Sequence, residues 1–282
     1  MALLAPWKQK PNTSPVDSGV LDFLICEPAD EYHAKAADFL SSHQLANFRK
    51  SPLLYHRKKC GLIPDEVRPA YLIGRGGHTL ILEGRKRFDE EFAVGGPANP
   101  KTGNLYGSNT KAFAEWAEAQ GKPVLTREQF DLLLRMHLGV ARNELAGELL
   151  SQGVAEGVVR DEYCDTACQI RIDWLNPERG IVDLKTCDDL TWFEADARRY
   201  GYVHQMAFYR AVLAQVIGVR LPVHIIAVEK REPFRCGVWQ TSKEVLGIAQ
   251  RENEAAIERL QRCEATNTWN TGYEDLRIFD SL

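Results

Sequence analysis

The stretch RIDWLNPERGIVDLKT, residues 171–186, constrains the fold of this chain more than any other. Asn176-Pro177-Glu178-Arg179-Gly180 is turn chemistry, since Asn and Gly tolerate the angles of a tight reversal and Pro presets one of them. Apolar runs flank it on both sides. A hairpin centred near Glu178 sets Asp173 opposite Asp183. Directly opposed residues on one sheet face have Cβ atoms roughly 4.5–5.5 Å apart. Asp183 and Lys185 are two residues apart and share that face, while Val182, Leu184 and Thr186 point the other way. Two carboxylates and an ammonium therefore converge on strands whose other residues are built to pack.

The surrounding pattern extends this hairpin into an α+β fold. Ala155–Asp161, Cys168–Leu175 and Gly180–Thr186 are β-rich runs separated by turn residues. A long amphipathic helix is predicted from about Glu194 to Ile217, with Val203, Met206, Ala207, Val212, Leu213 and Val216 as its apolar face and Gly218 as its stop. Strands near Val223–Glu229 and Arg235–Gln240 follow. Thr241-x-x-Glu244 is a capping box that opens a last helix to about Ala265. Upstream, helices are predicted near 42–50 with Ser42 as N-cap, from Pro69 to about Glu83, and at about 110–120 and 126–150. Residues 94–110, rich in Gly, Pro, Asn and Thr, form a long loop. The order implies a mixed central sheet flanked by helices, with a helical N-terminal part. Residues 1–37, broken by prolines, read as an irregular segment. Residues 38–282 read as one domain, with a helical part at 38–150, an α/β core at 151–240 and a C-terminal helical part at 241–282.

Composition excludes several function classes. The net charge of -4 rules out a chain coated in positive charge but leaves room for a local basic surface. No apolar run approaches the ~18 residues a membrane span needs. Met1–Pro6 lacks the apolar run of a signal peptide. The seven cysteines are scattered, and Cys164 and Cys168 have no second close pair, so no zinc or iron–sulfur site is expected. Reduced thiols and a cytoplasmic location are the expectation.

Two opposed carboxylates repel and destabilise the sheet unless a cation lies between them. Mg²⁺ suits them, because it takes hard oxygen ligands and keeps several waters. It can polarise a phosphodiester and neutralise developing charge. Lys185 can orient the attacking water and stabilise the anionic transition state, and the Leu184 carbonyl can add a further oxygen ligand. A solvated ion pair on a strand is the bland alternative. The apolar setting of Asp183, the second Asp across the hairpin and the helix that follows favour the catalytic reading.

Asp173 followed by Asp183-x-Lys185 resembles the active-site signature of the PD-(D/E)xK nuclease superfamily, and Gln205-x-x-x-Tyr209 resembles the helix motif of its RecB-like branch. SHQLANFRKSPLLYHRKK, from Ser42, is similar to the N-terminal segment of RecE-type nucleases (exonuclease VIII). Gly74–Glu83 is similar to their "G…H…LE" motif, and Ala155-Glu156 to the acidic position before the catalytic strands. The resemblance spans roughly residues 38–215. It implies a restriction-endonuclease-like core in which His78, Asp173 and Asp183 bind metal and Lys185 is the catalytic lysine. It also implies that Glu156 assists beside the metal and that Gln205 and Tyr209 face the site or the DNA. The cysteine cluster of some relatives is missing, so no iron–sulfur cofactor is implied. Gly74, Gly76 and Gly77 fit neither a dinucleotide nor a phosphate loop and read as close helix packing near the site.

Residues 39–64 contain no acid but hold Arg49, Lys50, Arg57, Lys58 and Lys59 among His and aromatic residues, a mixture suited to phosphate and base contact. Arg85-Lys86-Arg87 is a second basic cluster on the far side of His78. Arg171 shares the Asp173 face and either contacts phosphate or pairs with a carboxylate. The expectation is a Mg²⁺-dependent DNA exonuclease (Mn²⁺ substituting), and the resemblance implies that it attacks duplex ends 5′-to-3′ in phage-type recombination. The resemblance further implies a ring-like homo-oligomer with a single-strand annealing protein as partner. The competing readings are another RecB-like nuclease, endonucleolytic or single-strand-specific, and a non-catalytic DNA-binding protein of the same fold.

Overall fold

In the computed structural model, residues 21–64 and 69–278 are described; the remainder of the irregular N-terminal segment lies outside them. The N-terminal half is helical: α1 (Ala29–Ala34), α2 (Ser42–Lys50), α3 (Pro52–Lys59), α4 (Pro69–His78), α5 (Gly84–Glu91), α6 (Lys111–Ala119), α7 (Arg127–Ala141) and α8 (Glu144–Leu149). Two short strands, β1 (Ala93–Val94) and β2 (Val124–Leu125), pair in parallel between them. Residues 29–37 are α1 and a 3₁₀ turn rather than irregular chain, because Pro28 can precede a helix without interrupting it.

Capping chemistry sets several boundaries. Ser41, not Ser42, caps α2: its hydroxyl accepts from the Gln44 backbone while the Gln44 side chain accepts from the Ser41 backbone. Thr126 and Gln129 form the same reciprocal box at α7. Beyond His78 the chain widens into a π-helical turn, Thr79–Glu83, before α5. Single π turns inside helices concentrate at functional sites.

The second half builds the sheet from β3 (Val154–Glu162), β4 (Ala167–Asn176), β5 (Gly180–Cys187), β6 (Val223–Glu229) and β7 (Cys236–Gln240), in that spatial order. β5 and β6 are parallel and the other neighbours antiparallel, so the sheet is mixed. The parallel step requires a crossover. It is supplied by α9 (Phe193–Tyr200) and α10 (Tyr202–Ile217). The single long helix expected there is broken at Gly201, whose φ of 73° ends α9 and begins α10. That left-handed angle costs Gly little, and periodicity alone runs straight through it. Gly218 stops α10 as expected. α11 (Lys243–Thr266) is capped by Ser242 rather than Thr241.

Each sheet face has its own core. Ile181 packs with Met206 and Phe208 of α10, Leu246 of α11 and Leu45 of α2. Val182 and Leu184 pack with Leu80, Leu133 and Met136 from the helices on the other face. The alternation predicted for β5 is thus realised. A Cβ on Gly76 would stand 2.8 Å from Leu133 Cδ1, and one on Gly77 would contact Met136 and Thr186. These glycines bring α4, with His78 at its end, close to α7 and β5. A Cβ on Gly74 would meet open space. Among the described residues, no helix is long and apolar enough to cross a membrane.

Candidate metal centre

The hairpin register is Trp174↔Val182, Leu175↔Ile181 and Asn176↔Gly180. Continued by one step it sets Asp173 against Asp183. The ladder stops before that step, and Asp173 Oδ2 instead accepts the Leu184 backbone N–H at 2.8 Å. The strands part here, and the side chains on the sheet meet His78 from α4.

His78 Nδ1 lies 3.5 Å from Asp173 Oδ2. Burial lowers the His78 pKa, and Lys185 adds to this; the Asp173 charge and a hydrogen bond to the Leu184 backbone oppose it. The imidazole is therefore neutral at pH 7 and keeps a lone pair for a metal. The Leu184 backbone, expected to supply a ligand, meets His78 here.

Glu156 is the third member. It sits within β3 at a φ of 56°, a left-handed angle that costs a non-glycine residue roughly 1–2 kcal/mol. Such strain persists where the surroundings hold it, and functional sites are where it collects. Its carboxylate lies 2.9 Å from Arg171 Nε. Burial, then the charge of Asp173, push the Glu156 carboxyl up to about 8, against the pull of Arg171. Glu83 and Glu91 add to the rise. Glu83, at the end of the π turn, is itself raised by burial and by Glu91. Its share in the negative field was not assigned from sequence, although the motif containing His78 ends on it.

One ligand atom each from His78, Glu156 and Asp173 lie within 4.8 Å of one another. Asp183 stands beside this trio rather than in it. Its carboxylate is 1% exposed, with Lys185 Nζ 2.9 Å from Oδ1 and 2.7 Å from Oδ2. Only the Oδ1 contact has hydrogen-bond geometry, leaving Oδ2 buried without a donor. Burial, aided by Asp173, pushes the Asp183 carboxyl up to about 7 even with Lys185 pulling it down. Asp183 raises the Lys185 pKa despite burial, and the ammonium lies 4.9 Å from the Tyr202 ring centre.

These residues fit a divalent cation. The donors are carboxylate oxygens and a neutral imidazole, one buried carboxylate oxygen lacks a hydrogen-bond donor, and the Glu156 and Asp183 carboxyls are both raised by burial and by repulsion from the charge of Asp173. A cation would reverse that repulsion.

Gln205 and Tyr209 extend the site along α10. Gln205 Nε2 donates to the Tyr209 hydroxyl at 3.1 Å. Burial and the Asp173 and Asp183 charges raise the Tyr209 pKa, so it stays a neutral phenol near both carboxylates. Arg171, with two expected roles, is engaged by Glu156. The basic residues of α2 and α3 have varied surroundings. Lys50 and Arg57 are exposed, Lys58 is half-buried, Lys59 pairs with Glu264 at 2.9 Å, and Arg49 donates to Asn253 Oδ1 at 2.7 Å. The Arg85–Arg87 cluster carries ion pairs along its own helix. Arg85 pairs with Asp89, and Arg87 with Glu83, Glu90 and Glu91, because acids one helical turn away satisfy them.

Residues 41–280 match a family described as a PDDEXK-like domain of unknown function, DUF3799. The chain belongs to this family. Its fold is also that of a crystal structure of the "Putative exonuclease" from Eubacterium rectale, with a TM-score of 0.66 at 18% identity. The similarity covers 91% of this chain and 97% of that one. No curated protein sequence matches the chain.

Proposed function

We propose that this PDDEXK-like protein is a divalent-metal-dependent DNA nuclease acting from duplex ends. The observation that carries the reading is the convergence of His78, Glu156 and Asp173 beside the buried Asp183–Lys185 pair. His78, Glu156 and Asp173 are the residues that would hold Mg²⁺ or Mn²⁺, with Asp183 as a further carboxylate beside them. The bound cation supplies Lewis-acid stabilisation of charge developing on the scissile phosphate.

The chain's own groups do the rest. Lys185, kept protonated by Asp183, is a hydrogen-bond donor and fixed positive charge rather than a general base. Asp173 is held in place by the Leu184 N–H, and this fixes the orientation of its other oxygen. Arg171 steadies Glu156. Gln205 and Tyr209 form a neutral polar edge that positions the nucleotide next to Lys185.

The order of the motifs supports RecE-type chemistry: 5′-to-3′ degradation of linear duplex in phage-type recombination. A ring-like homo-oligomer, an annealing-protein partner and a cytoplasmic location extend that resemblance. The test is digestion of end-labelled linear duplex and of the same DNA as a covalently closed circle. The proposal predicts loss of the linear form with Mg²⁺ or Mn²⁺, none with EDTA, and a spared circle. Cleavage of the circle at the same rate would replace the exonuclease by an endonuclease.

A further inference from the structure

A second cavity, of about 740 Å³, opens between α2 and the C-terminal end of α11, where residues 268–277 fold back over it. That volume is in the range of a ligand site. Arg49, Lys50, Arg259, Arg262 and Arg277 line it, and no acid among the described residues does. Several acids of the surrounding elements have partners outside it. Glu252 holds His204, Glu264 holds Lys59, and Glu274 accepts from the backbone of Thr271 and Gly272. Burial lowers the pKa of the half-buried Arg49, the charge of Glu252 opposes this, and the like charge of Arg259 adds to the lowering. Tyr273 is 71% exposed, with the Arg277 guanidinium 4.1 Å over its ring. Positive charge interleaved with an exposed aromatic face fits a strand of nucleic acid, whose phosphates pair with cations while its bases stack.

A series of side-chain contacts links the cavity to the metal centre. Arg49 lines both it and a smaller cavity of about 210 Å³, walled by Tyr202 and Gln205. Lys185 lies over the Tyr202 ring, and Gln205 bonds Tyr209. A path therefore runs from Lys185 past Tyr202 and Gln205 to Arg49, and on to the arginines of α11.

We infer that this groove binds a single nucleic-acid strand away from the point of cleavage, with Arg259, Arg262 and Arg277 as its backbone contacts. The inference rests on the nuclease reading for what the strand is, but its test does not depend on cleavage. Binding of a fluorescent 20-nucleotide thymidine strand to the full chain is measured in EDTA across a salt series, for the unaltered protein and for Arg259→Ala/Arg262→Ala. The affinity is expected to drop about tenfold or more at low salt, and the slope of log affinity against log salt to become shallower by about 1.4, since each single-strand phosphate contact contributes about 0.7. Arg259→Lys/Arg262→Lys should keep the slope, which separates lost charge from lost fold. Both sites are exposed on α11, and Arg277→Ala gives an independent variant away from the helix. Hydrolysis of bis(p-nitrophenyl) phosphate with Mn²⁺, a substrate too short to reach the groove, should be unchanged in every variant. An unchanged strand affinity and slope would overturn the inference, as would a loss confined to duplex DNA or to anionic vesicles. If the unaltered protein hydrolyses nothing while the arginine variants still lose strand binding, the nuclease reading fails and the groove stands.

Discussion

Removing the charge of Lys185 or of Asp183 should destabilise the metal-free protein, whereas removing both should not. Asp183 is 1% exposed and the Lys185 side chain 15% exposed, so neither can turn to water without moving the strand. Breaking a buried pair at one end generally costs roughly 3–5 kcal/mol, while replacing both ends by neutral groups of similar shape is close to neutral. Lys185→Met falls below that range, because Asp183 already sits at about 7 and takes up a proton once its partner is gone. What is left is a neutral carboxyl short of hydrogen bonds, a cost of about 1–3 kcal/mol. Asp183→Asn leaves the ammonium unpaired and costs a similar amount. The double variant should lie within about 1 kcal/mol of the unaltered chain, a coupling of about 2–3 kcal/mol. The assay is urea unfolding in EDTA at pH 6 and pH 9. A carboxyl whose pKa is raised by folding gives stability at low pH and loses it as pH rises through the raised value. The Lys185→Met deficit should therefore widen from pH 6 to pH 9. Additive single-variant costs, or Lys185→Met equal to the unaltered protein at pH 9, would refute the buried-pair argument.

Further outcomes follow from the same geometry. In EDTA, the raised Glu156 and Asp183 carboxyls make their contribution to stability fall as pH rises through about 7 to 8; the melting shift given by Mn²⁺ should grow over that interval, and a flat shift would count against these groups as ligands. Glu156→Gly relieves a left-handed angle worth roughly 1–2 kcal/mol but leaves Arg171 without its carboxylate, so its stability in EDTA should lie within about 2 kcal/mol of the unaltered protein. The same variant should lose most of the Mn²⁺ shift in a melting series. Arg171→Ala removes the cation beside Glu156; its Mn²⁺ affinity by calorimetry should fall at pH 7 and recover at pH 9, and an equal deficit at both would assign Arg171 a purely packing role.

Much of the centre was legible because it follows from period-two alternation and turn chemistry. The turn at Asn176–Gly180 sets the register as far as Trp174↔Val182, and Asp173 follows at the next residue, where the ladder gives way to its bond with the Leu184 N–H. The strand limits agreed for the same reason. His78 was legible through its motif, and Gly76 and Gly77 through the tight packing they allow. Other features depend on contacts that no local pattern encodes. The resemblance put Glu156 beside the metal, but nothing in residues 154–159 signals its left-handed angle or that it, rather than Asp183, stands with His78 and Asp173. Ser41 with Ser42, and Thr241 with Ser242, are adjacent competent caps, and only the backbone path selects one of each. The break at Gly201 was hidden because the apolar face continues on both sides of it. The basic groove escaped notice because Arg49 and Arg259 are far apart in sequence and meet only once α2 packs on α11.

The most direct test of the central claim is cleavage of end-labelled linear duplex by the purified chain and by Asp173→Asn, each with Mn²⁺ and with EDTA. The site described here predicts shortening of the DNA by the unaltered chain with Mn²⁺ alone, and none by Asp173→Asn under either condition while its melting temperature in EDTA stays near that of the unaltered chain. Cleavage that survives EDTA, or full activity in Asp173→Asn, would contradict it.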